Sequence, residues 1–231
     1  MIERPVIVRA TGLSKTFVRG SEEVHAVLDA SFEIFANELT ALVGPSGSGK
    51  TTILNLLAGW ETPDAGTVHL AGWAGPLETA AWDRIALVPQ TLGLLGELSI
   101  RENVALASRL GTLPGVEDDR IDDVLEDLGL AQLADRSPDE ISLGEQQRAA
   151  LARALVSRPS LLLTDEPSGH QDALWARGVF GALRKICSEG TACVVATHNE
   201  EVLGFVDRIL EMRDGQILAS EGIRQEHHGP T

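Results

Sequence analysis

Cysteine, aromatic residues and positive charge are all scarce in this sequence. Its 231 residues include two Cys and no Tyr, and 34 Asp and Glu outnumber 19 Lys and Arg, so that the formal net charge is −15. The cysteines, Cys187 and Cys193, are too few for a disulfide framework and have no companions at metal-ligand spacing. The acidic balance disfavours binding to nucleic acid or to an anionic lipid surface through charge alone.

Long hydrophobic runs are also missing. No apolar segment approaches the roughly 18–20 residues that a membrane-spanning helix requires, and the first ten residues do not resemble a secretory signal. We therefore expect a soluble, cytosolic protein. The length suits one large domain, or one domain with an inserted subdomain, and a hydrophobic content of 43% is that of a globular protein.

Short apolar runs separated by Gly and Pro predict strands towards both ends of the chain, with a stretch of helical periodicity between them. The predicted strands are Val6–Phe17, Val24–Phe35, Leu39–Val43, Thr67–Gly72, Ile85–Val88, Leu161–Thr164, Ala192–Ala196 and a hairpin over residues 209–218. The predicted helices are Lys50–Ala58, Ile100–Leu110, Arg120–Leu128, Ala149–Val156 and Asp172–Cys187. We expect an α/β core over residues 1–91 and 158–222, a helical insertion over residues 92–157, and a tail over residues 223–231.

A glycine-rich segment between a predicted strand and a predicted helix has the composition of a phosphate-binding loop. Its glycines allow backbone N–H groups to converge on an anion, and the following helix directs its positive dipole end to the same place. Lys50 can reach the β- and γ-phosphates of a nucleotide, and the Thr51 hydroxyl can bind Mg²⁺. A glycine turn with an incidental lysine is disfavoured, because the chain has only three Lys. We call residues 44–51 the phosphate loop; the candidate nucleotide-binding residues are Gly44, Pro45, Ser46, Gly47, Ser48, Gly49, Lys50, Thr51 and the following Thr52.

Two acidic residues end a later buried strand. Asp165 would lie near the magnesium ion, and Glu166, one residue further on, could polarise a water for attack on the γ-phosphate. The alternative is a strand that merely ends in acids, which is less favoured beside a phosphate loop.

A second helix start also has the chemistry to bind phosphate. Ser142, Leu143 and Gly144 precede a helical stretch, and a hydroxyl together with backbone N–H groups at a helix N-terminus suits an anion. Because the phosphate loop already serves one nucleotide, we expect this second turn to face the nucleotide of another subunit.

Together these motifs resemble the nucleotide-binding subunit of ABC transporters, and the resemblance covers about residues 4–220. It implies an α/β fold of the P-loop NTPase class, with an N-terminal antiparallel β subdomain and an inserted α-helical subdomain. The family's motifs occur in order: the phosphate loop, the Q-loop Gln90, the signature with Ser142, Gly144 and Glu145, the Walker B pair Asp165 and Glu166, the D-loop Asp172 and the switch His198.

The resemblance implies an ATPase with ATP and Mg²⁺ as cofactors. Two subunits would enclose two nucleotides head to tail, with Asp172 and the signature at the shared sites. Glu166, His198 and Gln90 would be catalytic, and Thr51, Asp165 and Gln90 would hold the metal. The family further implies a permease on a separate chain, a second ATPase subunit as homodimer or heterodimer, no nucleic acid partner, and a peripheral position at the cytoplasmic face of the membrane. The permease would dock in an apolar groove beside Gln90 and the helical insertion.

Three positions depart from the family pattern. Phe17 occupies the place of the usual adenine-stacking Tyr, and its ring face suffices for stacking, although it could also be a core residue. Leu143 replaces a glycine of the signature, where a side chain could restrict the turn or its approach to the opposite nucleotide. Gln171 replaces a leucine of the D-loop. These departures bear on hydrolysis rate and site symmetry more than on binding, and they would fit a heterodimer with one fully active site.

Within the family, the spacing over Ser21–Ala26 and the sequence of residues 166–169 look most like exporters of the lipoprotein-releasing and macrolide-efflux type. Other transporter ATPases, including importers, remain open. Two further alternatives are a non-transport ABC ATPase, disfavoured by the single domain and the acidic charge, and a weakly hydrolysing regulatory module, suggested by Leu143.

Overall fold

The computed structural model describes residues 4–80, 84–106, 118–166, 173–198 and 200–222. The strands are β1 (Val6–Arg19), β2 (Glu22–Phe35), β3 (Leu39–Val43), β4 (Ala65–Leu70), β5 (Ile85–Val88), β6 (Leu161–Asp165), β7 (Ala192–Thr197), β8 (Arg208–Arg213) and β9 (Gln216–Gly222). The α-helices are α1 (Lys50–Leu57), α2 (Ile100–Val104), α3 (Asp118–Asp127), α4 (Leu143–Leu155) and α5 (Ala173–Ser188). Every predicted strand is present.

Six strands form the larger sheet, in the order β5-β6-β7-β3-β8-β9, with only the β8–β9 pair antiparallel. A parallel sheet covered on both faces needs strands that are apolar throughout, which explains the unbroken apolar runs of β6 and β7. Their side chains alternate between two cores. Leu162 packs with residues of helices α2–α5, whereas Leu161 and Leu163 pack with α1 and the smaller sheet.

The smaller sheet is antiparallel, in the order β2-β1-β4, and confirms the expected N-terminal β subdomain. Its long β1–β2 hairpin turns at residues 20–21, where Gly20 has a φ of 64°. A positive φ is readily adopted by glycine and costs most other residues energy, so the predicted turn has the residue it needs.

Helices α2 and α4 begin with capping boxes. The Ser99 and Ser142 side chains each accept from the backbone of a glutamate three residues later, Glu102 and Glu145, whose carboxylates accept in return from the serine backbones. As a result α4 begins at Leu143, six residues before the predicted start at Ala149. The predicted helix over residues 100–110 extends past the described residues. Within the described part of the chain, no helix combines the length and apolar character needed to cross a bilayer.

An ion pair between β8 and the residue before β3 ties the two sheets together. Arg208 Nε lies 2.7 Å from Glu38 Oε1, and both side chains are largely buried. The same guanidinium also donates to the Glu33 carbonyl of β2 and lies 4.9 Å from the centre of the Phe35 ring. One cation therefore links the antiparallel sheet to the edge of the parallel one.

Loss of this ion pair should be costly. We expect Arg208→Ala to lower the free energy of unfolding by about 3–5 kcal/mol, because it leaves the Glu38 carboxylate buried without its nearest cation. The exposed pair of Arg9 and Glu33 provides the control, since Arg9→Ala should cost less than about 1 kcal/mol. Urea unfolding of the three proteins measures the difference, and equal losses in the two variants would contradict the assignment.

Candidate nucleotide-binding site

The phosphate loop lies between β3 and α1, and close packing requires glycine at two of its positions. A Cβ on Gly44 would lie 2.1 Å from the Met212 carbonyl oxygen, and one on Gly49 would lie 2.1 Å from that of Ala26. Gly49 also has a φ of 106°, in the left-handed region. A Cβ on Gly47 would meet nothing within 4 Å, so this glycine borders open space. The loop therefore rests on β8 and β2 with its other side free for a ligand.

Lys50 is the cation of the loop. Lys50 is 7% exposed, and its Nζ donates to the Gly44 carbonyl at 2.8 Å and to the Pro45 carbonyl at 3.1 Å. The first residue of α1 thus brings a positive charge to the same place as the N-terminus of the helix, where Gly49 supplies no side chain that would cap it. A phosphate group would find both the charge and unbonded backbone N–H groups here.

Thr51 and Asp165 are joined although they are far apart in the sequence. Thr51 Oγ1 donates to Asp165 Oδ2 at 2.8 Å. Burial raises the pKa of Asp165 and the nearby Glu166 carboxylate raises it further, whereas the Thr51 hydrogen bond and Lys50 act in the opposite direction. A hydroxyl beside a buried carboxylate is the oxygen-donor chemistry that Mg²⁺ prefers, so these residues fit the ion.

Glu166 is positioned by the end of β7. Its Oε1 lies 2.7 Å from His198 Nδ1, and its Oε2 accepts from Thr197 Oγ1 at 3.4 Å. Its backbone has a φ of 50°, and its N–H donates to the Ala196 carbonyl at 2.9 Å. A left-handed backbone at a non-glycine residue is uncommon and costs energy, so the chain here is held by its surroundings. The result is a carboxylate directed beside a histidine.

Gln90 lies at the same edge of the sheet. It follows β5 by two residues, and the last residue of β5, Val88, is paired with Thr164, the residue before Asp165. The Gln90 side chain is exposed. It therefore stands beside the strand that ends in the candidate metal ligand.

Phe17 lies on β1 opposite Val24 of β2, two residues from Ala26, whose carbonyl contacts the phosphate loop. The ring is partly buried, belongs to neither hydrophobic core, and has Lys15 Nζ 5.4 Å from its centre. These features disfavour the alternative that Phe17 is a core residue.

The signature residues form the N-terminus of α4. The Ser142 hydroxyl donates to the Glu145 carboxylate at 2.8 Å, and these contacts hold the pKa of Glu145 below its usual value. Gly144 is buried, whereas Leu143 is 60% exposed and begins the helix without a positive φ. The replaced glycine is thus not needed for the shape of this turn. The D-loop residues Asp172 and Gln171 lie outside the described residues.

The structure brings most of the sequence-predicted residues into one cluster. Lys50, Thr51, Asp165, Glu166 and His198 are connected through the phosphate loop and the ends of three strands. The side chains of Ser142 and Glu145 instead bond to each other. Sequence reasoning missed the supporting contacts of Thr197 and of the Met212 carbonyl, because no local spacing connects them to the loop.

Comparisons with known proteins agree with this arrangement. A family model described as ABC transporter matches residues 27–169. The chain is 42% identical over 219 residues to the lipoprotein-releasing system ATP-binding protein LolD of Gluconobacter oxydans, covering 91% of this chain and 95% of that protein. It is 37% identical over 229 residues to the macrolide export ATP-binding/permease protein MacB of Rhodopirellula baltica, covering 95% of this chain but only 33% of that protein.

Solved structures are similar along almost the whole chain. A dimeric ATP-binding cassette in a post-hydrolysis state, bound to ADP and Pi, has a TM-score of 0.85 and 29% sequence identity, with 95% of this chain and 100% of that chain covered. A cbiO1 protein from Clostridium perfringens, part of an ABC transporter complex, has a TM-score of 0.81 at 25% identity. It covers 95% of this chain and 89% of that one.

The packing of the loop can be tested with one methyl group. Gly49→Ala should abolish saturable ATP binding and lower the melting temperature, because the new Cβ would overlap the Ala26 carbonyl and cannot tolerate the backbone angle. Gly178→Ala in α5 is the matched control; nothing lies within 4 Å of its Cβ position, and helix stability should rise by about 1 kcal/mol. Titration with a fluorescent ATP analogue measures binding, and wild-type affinity in Gly49→Ala would contradict the geometry.

Proposed function

Because the chain belongs to the ABC transporter family, we propose that its cluster around the phosphate loop binds ATP with Mg²⁺, hydrolyses it, and powers transport through a separate transmembrane chain. The observation that supports this best is the convergence of Lys50, Thr51, Asp165, Glu166 and His198 at one edge of the parallel sheet. Ligands of open α/β sheets bind at the carboxyl ends of the strands, where these residues lie.

The phosphate loop would hold the nucleotide. The N–H groups of residues 44–51 and the N-terminus of α1 bind the phosphates, and Lys50 exchanges its two loop carbonyls for phosphate oxygens. Thr51 and Asp165, with Gln90, would hold the ion. When bound, Mg²⁺ neutralises charge on the β- and γ-phosphates. Phe17 would stack on the adenine, since its ring lies outside both hydrophobic cores.

Glu166 and His198 would perform the reaction. The Glu166 carboxylate accepts a hydrogen bond from the attacking water and orients it in line with the bond that breaks. Its hydrogen bond to His198 fixes the direction of the carboxylate, and Thr197 supports it from the strand. His198 then stands beside the γ-phosphate. A weakly hydrolysing module is not favoured, because both of these side chains are present and connected.

A second ATPase subunit would complete the site. The dimeric cassette that resembles this chain covers it almost completely, which supports the same association here. Ser142 and Gly144 at the start of α4, with Glu145 and Asp172, would face the partner's nucleotide. Leu143 is exposed at the same end of α4 and would lie at this contact.

We propose that residues 92–157 form a helical subdomain inserted into a core of residues 1–91 and 158–222. The permease would dock on a groove between this core and the helices of the subdomain. The groove has a volume of about 240 Å³ and is lined mainly by apolar residues, among them Trp60, Leu87 and Leu92. Trp60 is 63% exposed, an unusual state for so large an apolar side chain. An apolar helix of a membrane protein suits this lining and would place the chain peripherally at the cytoplasmic face.

The type of transporter follows from the relatives. The similarity to a lipoprotein-releasing ATP-binding protein covers nearly all of both chains, whereas the similarity to the macrolide export ATP-binding/permease protein covers only 33% of that protein. We propose an exporter of the lipoprotein-releasing or macrolide-efflux type, with the transmembrane chain choosing the substrate.

Two substitutions separate binding from hydrolysis. Lys50→Ala should lose ATP binding, because it removes the only cation bonded to the loop among the described residues. Glu166→Gln should keep ATP affinity but slow hydrolysis by at least about 100-fold, since the amide cannot accept the proton of the attacking water. ATP titration and phosphate release measure the two effects. Unchanged phosphate release in Glu166→Gln would contradict the catalytic role.

The docking groove can be tested at its exposed tryptophan. Trp60→Glu should abolish co-purification of the chain with a membrane-spanning protein, because a charge cannot be buried in an apolar contact. ATP binding should not change, since Trp60 lies outside the phosphate loop. Trp73→Ala is the control, because Trp73 donates to the Pro76 carbonyl and does not line the groove. If Trp60→Glu retains a membrane-spanning partner identified by mass spectrometry, the groove is not the docking site.

A further inference from the structure

A partly buried arginine on α4 holds the chain that follows Gln90. Arg153 Nη1 donates to the Gly93 carbonyl at 2.6 Å, and Nη2 donates to the Leu92 carbonyl at 2.7 Å. Burial lowers the pKa of this guanidinium, and both hydrogen bonds described for it go to backbone carbonyls. Two neighbouring carbonyls reach one guanidinium because Gly93 has a φ of 59°. The charge therefore binds backbone that lies 60 and 61 residues away in sequence.

A second side chain holds the far end of the same segment. Asn103 of α2 is fully buried; its Oδ1 accepts from Leu95 N at 2.8 Å, and its Nδ2 donates to the carbonyls of Leu95, Leu98 and Ser99. Residues 92–99 have no regular secondary structure, yet they are fastened to α4 at one end and to α2 at the other. Only residues 89–91 connect this fastened segment to β5.

From these contacts we propose that Arg153 is a positioning residue for Gln90. It makes residues 92–99 move as one body with α2 and α4, so that a shift of these helices is transmitted to the three-residue connection, residues 89–91, that contains Gln90. This inference rests on the proposed role of Gln90 at the metal. It adds the side chain that joins this residue to the helices.

Helix α4 connects the proposed contact with the second subunit to the proposed contact with the permease. Its N-cap, Ser142, faces the partner's nucleotide in the proposed dimer, and Arg153 lies roughly 15 Å along the helix from its first residue, Leu143, at 1.5 Å per residue. Arg153, Leu92 and Gly93 all line the groove proposed for the permease. An occupant of the groove would therefore contact the guanidinium and both residues that it holds.

The test compares Arg153→Met with Arg153→Lys and with a matched control. Arg153→Met removes both hydrogen bonds while keeping an apolar stem, and Arg153→Lys keeps the charge and can satisfy one carbonyl. Arg136→Met removes an arginine of the same helical region whose ion pair with Glu140 is exposed. Hydrogen exchange of residues 90–99 in the purified chain is the first readout, since it needs neither nucleotide nor metal.

We expect exchange of residues 90–99 to accelerate at least about tenfold in Arg153→Met, because even one lost hydrogen bond to a charged donor corresponds to roughly that factor, with exchange of residues 44–51 unchanged. Arg153→Lys should show an intermediate rate, and Arg136→Met the wild-type rate. The second readout is the Mg²⁺ concentration that gives half-maximal ATPase activity; it should rise in Arg153→Met together with a lower kcat, while KM for ATP stays within about twofold because the phosphate loop is untouched.

The proposal is overturned if residues 90–99 in Arg153→Met exchange as in the wild type, or if kcat falls only in step with the melting temperature while the Mg²⁺ requirement is constant. If Arg153→Met does not fold, Arg153→Lys carries the same comparison. Failure of this proposal can be distinguished from failure of the proposed function. A wild-type chain without ATPase activity would still show, through hydrogen exchange, whether Arg153 holds residues 90–99.

Discussion

The parallel pairing of β3, β6 and β7 is the constraint on which the site depends. The register places Val43 beside Thr197, and Asp165 beside Ala196, so that three strands end at the same level. The phosphate loop, Glu166 and His198 therefore all follow strands that end at one edge of the sheet. Backbone pairing sets these positions before any polar side chain contributes, and the apolar burial of both faces holds them.

The phosphate loop at this edge of the sheet is positively charged, although the chain as a whole is strongly acidic. The protein is strongly acidic, yet the loop that would hold a nucleotide has a nearly buried lysine and a helix N-terminus. The carboxylates of Asp165 and Glu166 lie close enough to raise the pKa of the former, which a divalent cation would reverse. ATP would bring negative charge to the lysine and the helix N-terminus, and its ion would bring positive charge to the two carboxylates. The acidic composition thus argues against nucleic acid without disfavouring a nucleotide.

The sequence predicted the strands well and one helix start poorly. β3 and β5 were located to the residue, because an apolar run of four or five residues bounded by turn residues favours a buried strand over a longer helix. Helix α4 was placed six residues too late, because apolar periodicity begins only where the helix enters the core. The turn at Ser142, which was interpreted from the sequence as a helix start, is the observed N-cap of α4, and Glu145 completes its capping box. The roles of the individual site residues stay predictions, although their grouping agrees with the motifs.

Local spacing by itself determined the phosphate loop and the strand that ends in two acids, because each of these depends on residues within about eight positions of one another. The order of such short motifs along the chain then indicated a nucleotide-binding family. Only the tertiary structure decided which distant groups meet. Thr51 and Asp165 are 114 residues apart, and Arg153 and Leu92 are 61 apart. Such contacts follow from strand register and helix packing, which depend on the burial of many side chains at once and leave no periodic trace in the sequence.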